Sequence, residues 1–186
     1  MAASESRASD EPDLRSCHLA CIMSHMANAL LPVDFQAVEA GPVLQDAVLG
    51  ETIAILGLRT SVTSRLGLMP VIRKGLPSSA LESVAKRMDL SAVATVESLG
   101  LAKRTIARRL QERQALTAEE SERVVRLARV LAEAMQVLGS IEKARRWMQR
   151  PSRALGGEVP LRMLDTDIGG NAVIEELGRI DHGVFA

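Results

Sequence analysis

Tyrosine is absent from the 186-residue chain, phenylalanine occurs only at positions 35 and 185, and tryptophan only at 147. Strands draw on aromatic and β-branched residues, whereas Ala, Leu, Val, Glu and Arg dominate here, so an all-α fold is predicted. Long apolar runs are missing too. No stretch approaches the roughly 20 residues of a membrane helix, and the opening MAASESRASDEPDLRS is too polar and acidic for a secretory signal. A cytoplasmic protein without a membrane partner is therefore predicted. Cys17 and Cys21 are the only cysteines. Their helical spacing argues against a mutual disulfide and fits a reducing compartment. With His25 they form a Cys, Cys, His series that lacks a fourth ligand and a ligand-bearing loop, so neither a metal nor any other cofactor is predicted.

Net charge is also lacking, since 23 bases balance 23 acids. The balance conceals a division along the chain. Residues 1–50 carry −5, residues 51–150 carry +8 and residues 151–186 carry −3. Contacts to nucleic acid would thus belong to the middle, and another partner to the end.

What is present is a hydrophobic fraction of 47%, enough to supply a packed core. Residues 1–13 are too polar to offset ordering entropy and read as a disordered tail. Residues 14–70 read as a helical extension. It has helices over Leu14 to Leu31 and Pro42 to Leu58, separated by Pro32 and the Gly41-Pro42 pair, and then a Gly and Pro connection over 59–77 with one short helix inside it.

Residues 71–116 read as three short helices. The first opens on a Ser79/Glu82 capping box and buries Leu81, Val84, Ala85 and Met88; the second runs from about Ser91 to Ser98. After a turn at Leu99-Gly100-Leu101 the third begins near Ala102, and this order suggests a helix-turn-helix. On the third helix, Lys103, Arg104, Thr105, Arg108 and Arg109 are candidate DNA contacts. The competing reading is a solvated charged face.

Residues 117–186 form the last region. A Thr117/Glu120 capping box starts a helix whose apolar residues include Val124, Leu127, Leu131 and Met135 on one stripe, with Val125, Val130 and Val137 on another. Such a helix should lie centrally, and its two apolar faces make a homodimer reasonable. Gly139 ends it and Ser140 caps a shorter helix through Trp147 and Met148, with Trp147 read as core rather than interface. The loop PSRALGGEVP and a turn at Leu161 to Leu164 lead to a final helix starting at Thr166 or Asp167 and ending at Gly183.

Catalytic signals are weak throughout. Asp165 and Asp167 read as helix-start acids rather than an acid/base pair, and Gly156-Gly157 as a tight turn rather than a phosphate cradle. No nucleophile motif accompanies the three histidines, and the chain is predicted not to be an enzyme. One rival arrangement, His182 meeting Asp165 and Asp167, stays open from sequence. The last ten residues are rich in Gly and apolar side chains where a chain ordinarily frays, so the end should dock in its own core or in a partner.

The ordered series GLPSSALESVAKRM, LGLAKRTIARR, LTAEESERVVRLARVLAEAMQVLG, KARRWMQRPSRALGG, PLRMLDT and LGRIDHGVFA resembles the Xre/MbcA/ParS family of antitoxins, partners of RES-domain toxins, over residues 72–186. The resemblance implies an Xre-like helix-turn-helix followed by a small helical toxin-binding domain. It further implies an antitoxin that occludes the active site of a toxin consuming NAD by degradation or ADP-ribosyl transfer, in a hetero-oligomeric complex. The alternative is an Xre-type transcriptional regulator acting mainly through operator DNA.

Candidate toxin contacts are Arg153, Gly156, Gly157, Gly178, Arg179, Ile180, His182, Gly183 and Phe185. Of these, Arg179, His182 and Phe185 could meet the ring pockets or catalytic groups of an NAD site. A competing arrangement folds Ile180, Val184 and Phe185 back onto the 118–138 helix and leaves the PSRALGG loop as the main contact. Two departures from the family's pattern bear on pairing specificity: Ser152-Arg153 after Pro151, where an Asn-containing pair is common, and a second glycine at Gly170.

Overall fold

The long helix predicted to lie centrally organises the structure, a computed structural model that describes the backbone of residues 42–60 and 62–183 and the side chains from 47 onward. The tail over 1–13, the helix over Leu14 to Leu31, the Cys17, Cys21, His25 series and Phe185 lie outside the described residues. Helix α1 spans Pro42–Leu56, and a 3-10 turn at Arg65–Gly67 leads into α2 (Leu68–Lys74). The next three are α3 (Ser79–Met88), α4 (Ala92–Ser98) and α5 (Lys103–Gln111). They are followed by α6 (Ala118–Leu138), α7 (Ile141–Met148), α8 (Pro160–Met163) and α9 (Asp167–Asp181).

Helix α6 starts where its capping box predicts: the Glu120 amide donates to Thr117 Oγ1 at 3.2 Å and the Thr117 amide to the Glu120 carboxylate at 2.7 Å. It stops at Gly139, whose φ of 77° closes the last turn. Helices α1, α2, α3, α7 and α9 all pack against it. Its two-faced apolar pattern is thereby covered within one chain, and Val124, Leu127, Ala128, Val130 and Leu131 are fully buried. Val48, Leu49, Ile55 and Leu56 of α1 join the same core, so the second apolar face of α6 is explained without a second copy.

The sequence reading of the start of α3 needs correction. Ser79 is its first helical residue, Ser78 precedes it in αR conformation without a side-chain cap, and the Ser79/Glu82 box does not form. The Ala80 and Leu81 amides donate to the Pro77 and Ser78 carbonyls at 2.9 and 3.1 Å, so backbone groups satisfy the donors a cap would serve. This turn is fixed from below. The Leu76 amide donates to Ser121 Oγ at 2.8 Å and the Leu116 amide to the Leu76 carbonyl at 2.8 Å. Gly75, at φ 91°, passes so close to Leu116 that a Cβ would stand 2.2 Å from its carbonyl oxygen.

The later caps follow the sequence. Ser91, Ser140 and Thr166 each accept the amide three residues on, starting α4, α7 and α9. Near the end of α6, burial pushes the Glu133 carboxyl above its ordinary range against the pull of Arg129 and Arg65. Its contribution to stability is therefore present at low pH and lost as pH rises through the raised value.

Candidate functional site

Helices α3, α4 and α5 form the predicted three-helix unit, with Gly100 at φ 61° in the turn between α4 and α5. Ile106 of α5 is buried, which turns Lys103, Arg104 and Arg108 outward. They are not equivalent. Lys103 pairs with Glu97 of α4. Half-buried Arg109 donates to the Ala115 carbonyl at 3.0 Å and lies 3.2 Å from the Glu120 carboxylate, tying α5 to the start of α6. Arg104 and Arg108 are exposed and, among the described residues, join no ion pair. Four residues apart on one helix, they point the same way. Thr105 is half-buried beside them.

The second group of candidates lies in the loop after α7 and along α9. A 3-10 turn at Arg153–Leu155 is anchored by buried Leu155 and packs on α9, so the structure brings the loop against the helix that carries the other candidates. Gly156 and Gly157 have φ of 68° and 87°, and their amides donate to the Arg153 and Ser152 carbonyls at 3.1 and 2.8 Å. Both donors serve the loop itself. This is a tight turn with an exposed rim, and Arg153 is exposed on it.

At the far end of α9, the Arg179 guanidinium donates to Glu176 at 2.8 Å through Nε and pairs with it at 2.6 Å through Nη2. Glu176 is itself buried, so this ion pair compensates a carboxylate removed from water. His182 follows the last helical residue, and its ring Nδ1 donates to the Gly178 carbonyl at 2.7 Å. That bond fixes the ring and leaves Nε2 to its surroundings. Ile180 is half-buried, while Gly183 is exposed at φ 69°. Gly178 sits within the helix with nothing within 4 Å of where a Cβ would stand.

Asp165 and Asp167 lie at the opposite end of α9. The fifteen residues from Asp167 to Asp181 set His182 roughly 20 Å from them at a rise of about 1.5 Å per residue. The rival in which these groups meet is excluded by that length. Asp167 instead neighbours Asn171 and Arg126. Among the described residues, no group of three or more His, Cys, Asp and Glu is placed to hold a metal, and no helix is long and apolar enough to cross a membrane.

Sequence reasoning missed a set of side chains that stitch the two regions together. Arg123 of α6 donates to the Leu99 and Gly100 carbonyls, both at 3.1 Å, holding the turn between α4 and α5. Arg145 of α7, with Gln149 just beyond it, donates to the Arg87 and Met88 carbonyls at 2.6 and 3.1 Å, closing the end of α3. Arg126 of α6 donates to the Leu164 carbonyl at 3.1 Å and lies against Gly170. The available signal was cations recurring on otherwise apolar helices; their partners are backbone carbonyls, which sequence does not reveal.

A helix-turn-helix stitched to a compact helical C-terminal region defines a two-part, all-helical class of protein. The family model for the antitoxin Xre-like helix-turn-helix domain matches residues 67–129, and that for the antitoxin Xre/MbcA/ParS C-terminal toxin-binding domain matches residues 133–183. The chain is 33% identical over 117 residues to an Antitoxin Xre of Photorhabdus laumondii, covering 62% of this chain and 79% of the relative. It is 31% identical over 120 residues to an Antitoxin Xre of Yersinia enterocolitica, covering 64% and 81%. A Sphingobium protein named Prs ADP-ribosylating antitoxin is 29% identical over 137 residues, covering 69% of this chain and 84% of that one. The chain belongs to the Xre/MbcA/ParS family of antitoxins, the protective halves of toxin–antitoxin pairs. Helix α1 lies outside both matched segments.

Proposed function

We propose that this antitoxin neutralises an NAD-consuming toxin of the RES-domain class by laying the end of α9, with the residues after it, over the toxin's NAD cleft. The observation that carries this reading is the form of that end. Gly178 leaves an open notch in the helix surface, and exposed His182 is held by one ring nitrogen beside it. An approaching chain can come close there and find a fixed imidazole. The name of the Sphingobium relative supports the NAD connection, because ADP-ribosyl transfer draws its group from NAD.

In this reading His182, Gly183 and Phe185 enter the cleft, Gly178 and Ile180 line the approach, and Arg179 exchanges its bond to Glu176 for a group of the toxin. Arg153, Gly156 and Gly157 form a second contact on the loop that packs against α9. The competing assignment makes that loop the main contact.

Removal of residues 182–186 tests the choice, since it spares the pair between Arg179 and Glu176. The shortened protein should keep its helicity and Tm yet no longer inhibit NAD turnover by the toxin encoded beside it. His182→Ala in the full chain should weaken inhibition in the same direction. Full inhibition by both variants overturns the plug.

Operator binding is a second reading, favoured by Arg104 and Arg108 standing exposed on α5. Fluorescence anisotropy on the promoter upstream should show salt-sensitive binding. Arg104→Ala or Arg108→Ala should each weaken it and lower the salt slope by about 1. Equal affinity for unrelated DNA rejects operator recognition. A homodimer within the toxin complex belongs to the same proposal, and light scattering on the free protein and on the complex measures it directly.

A further inference from the structure

A cleft of about 370 Å³ opens between the end of α6, α7 and the loop that follows. Its lining comprises Trp147, Leu138, Pro151, Ser152 and three cations, Lys143, Arg146 and Arg150. The spacing of 143, 146 and 147 puts two of the cations and the indole on one side of α7, and Arg150 follows just beyond its end. Arg145 and Gln149, which hold α3, lie on the other side. The cleft is thus turned away from the helix-turn-helix while lying within the matched toxin-binding segment.

No carboxylate lines this cleft, and among the described residues none of its three cations joins an ion pair. All three are exposed and Trp147 is half-buried. Guanidinium forks take carboxylates, while an indole flanked by Leu and Pro takes an apolar side chain. We propose that the cleft receives a carboxylate-bearing segment of the bound toxin, with acidic side chains on Arg146, Arg150 and Lys143 and an apolar neighbour on Trp147. Charge complementarity selects this occupant, and the orientation away from α3 argues against the phosphate backbone of a bound operator. The proposal rests on the reading that this chain holds a toxin, and adds an anchor separate from the end of α9.

Trp147 is the only tryptophan, so its emission reports this cleft alone. The blocked peptide Glu-Leu-Asp-Leu-Glu should shift the emission of the full-length protein in a salt-sensitive way, and its Gln/Asn counterpart should not. R146E/R150E alters two exposed residues and should leave Tm unchanged. It should abolish the peptide response and weaken binding of the intact toxin at least ~10-fold. Unchanged toxin affinity in that variant overturns the proposal, as does a peptide response indifferent to charge, or an emission change driven by a short DNA duplex or ADP in place of the acidic peptide. If the unsubstituted protein binds no toxin at all, the functional reading itself fails, a result distinct from these.

Discussion

The two ends of α9 use glycine in opposite ways. At the first turn, a Cβ on Gly169 would stand 2.1 Å from the Met163 carbonyl oxygen, and one on Gly170 would stand 2.7 Å from Arg126 Cδ. Both glycines are buried. About two and a half turns further on, Gly178 has nothing within 4 Å of the same position. Within a helix, glycine costs about 1 kcal/mol relative to alanine. At the first turn close packing against α8 and Arg126 offsets that cost; at the last turn nothing within the described chain does. One end of the helix is therefore part of the fold, and the other keeps space in reserve.

The sharpest way to break the packed end is Gly169→Ala. The obstructing atom is a backbone carbonyl, which cannot swing aside, so α8 must shift. A loss of about 3 kcal/mol is expected, at the upper end of ordinary overpacking. Thermal unfolding checks it, and an unchanged Tm would mean that α8 yields freely. Arg126→Ala should cost about 2 kcal/mol, because the Leu164 carbonyl loses a charged donor and the space over Gly170 empties. In that background Gly170→Ala should become harmless or stabilising. The pair is then non-additive, which a double-mutant cycle measures.

The contrast also marks what sequence could show. Helix starts were legible wherever a hydroxyl side chain meets the amide three residues on, as at Ser91, Thr117, Ser140 and Thr166. The one misread start, Ser79, failed because the turn at Pro77 and Ser78 supplies backbone acceptors instead. The central position of α6 was legible from its two apolar faces. What covers the second face was not, because α1 belongs to a segment whose partners depend on tertiary packing. At the candidate site, sequence gathered the loop glycines and the end of α9 but could not tell a free cation from an engaged one. Arg109 and Arg179 hold Glu120 and Glu176, whereas Arg104 and Arg108 stand clear. Nor could spacing distinguish Gly170, made necessary by Arg126, from Gly178, where an added Cβ would meet nothing within 4 Å.

The smallest expected change in stability carries the most information about function. Gly178 lies in regular helix within open space. Gly178→Ala should therefore stabilise the free antitoxin by about 0.5–1 kcal/mol, through higher helix propensity and a less flexible unfolded chain. If the notch is where the toxin's backbone approaches, the added methyl meets that backbone, and inhibition of NAD turnover should weaken even as Tm rises. Effects of opposite sign separate a partner contact from a structural defect, since a misfolded variant would lose both together. Glycine restored at 178 should recover inhibition, and bulkier Gly178→Leu should abolish it without unfolding the protein. If Gly178→Ala inhibits as well as the original chain while melting higher, the open end of α9 is not the surface that meets the toxin.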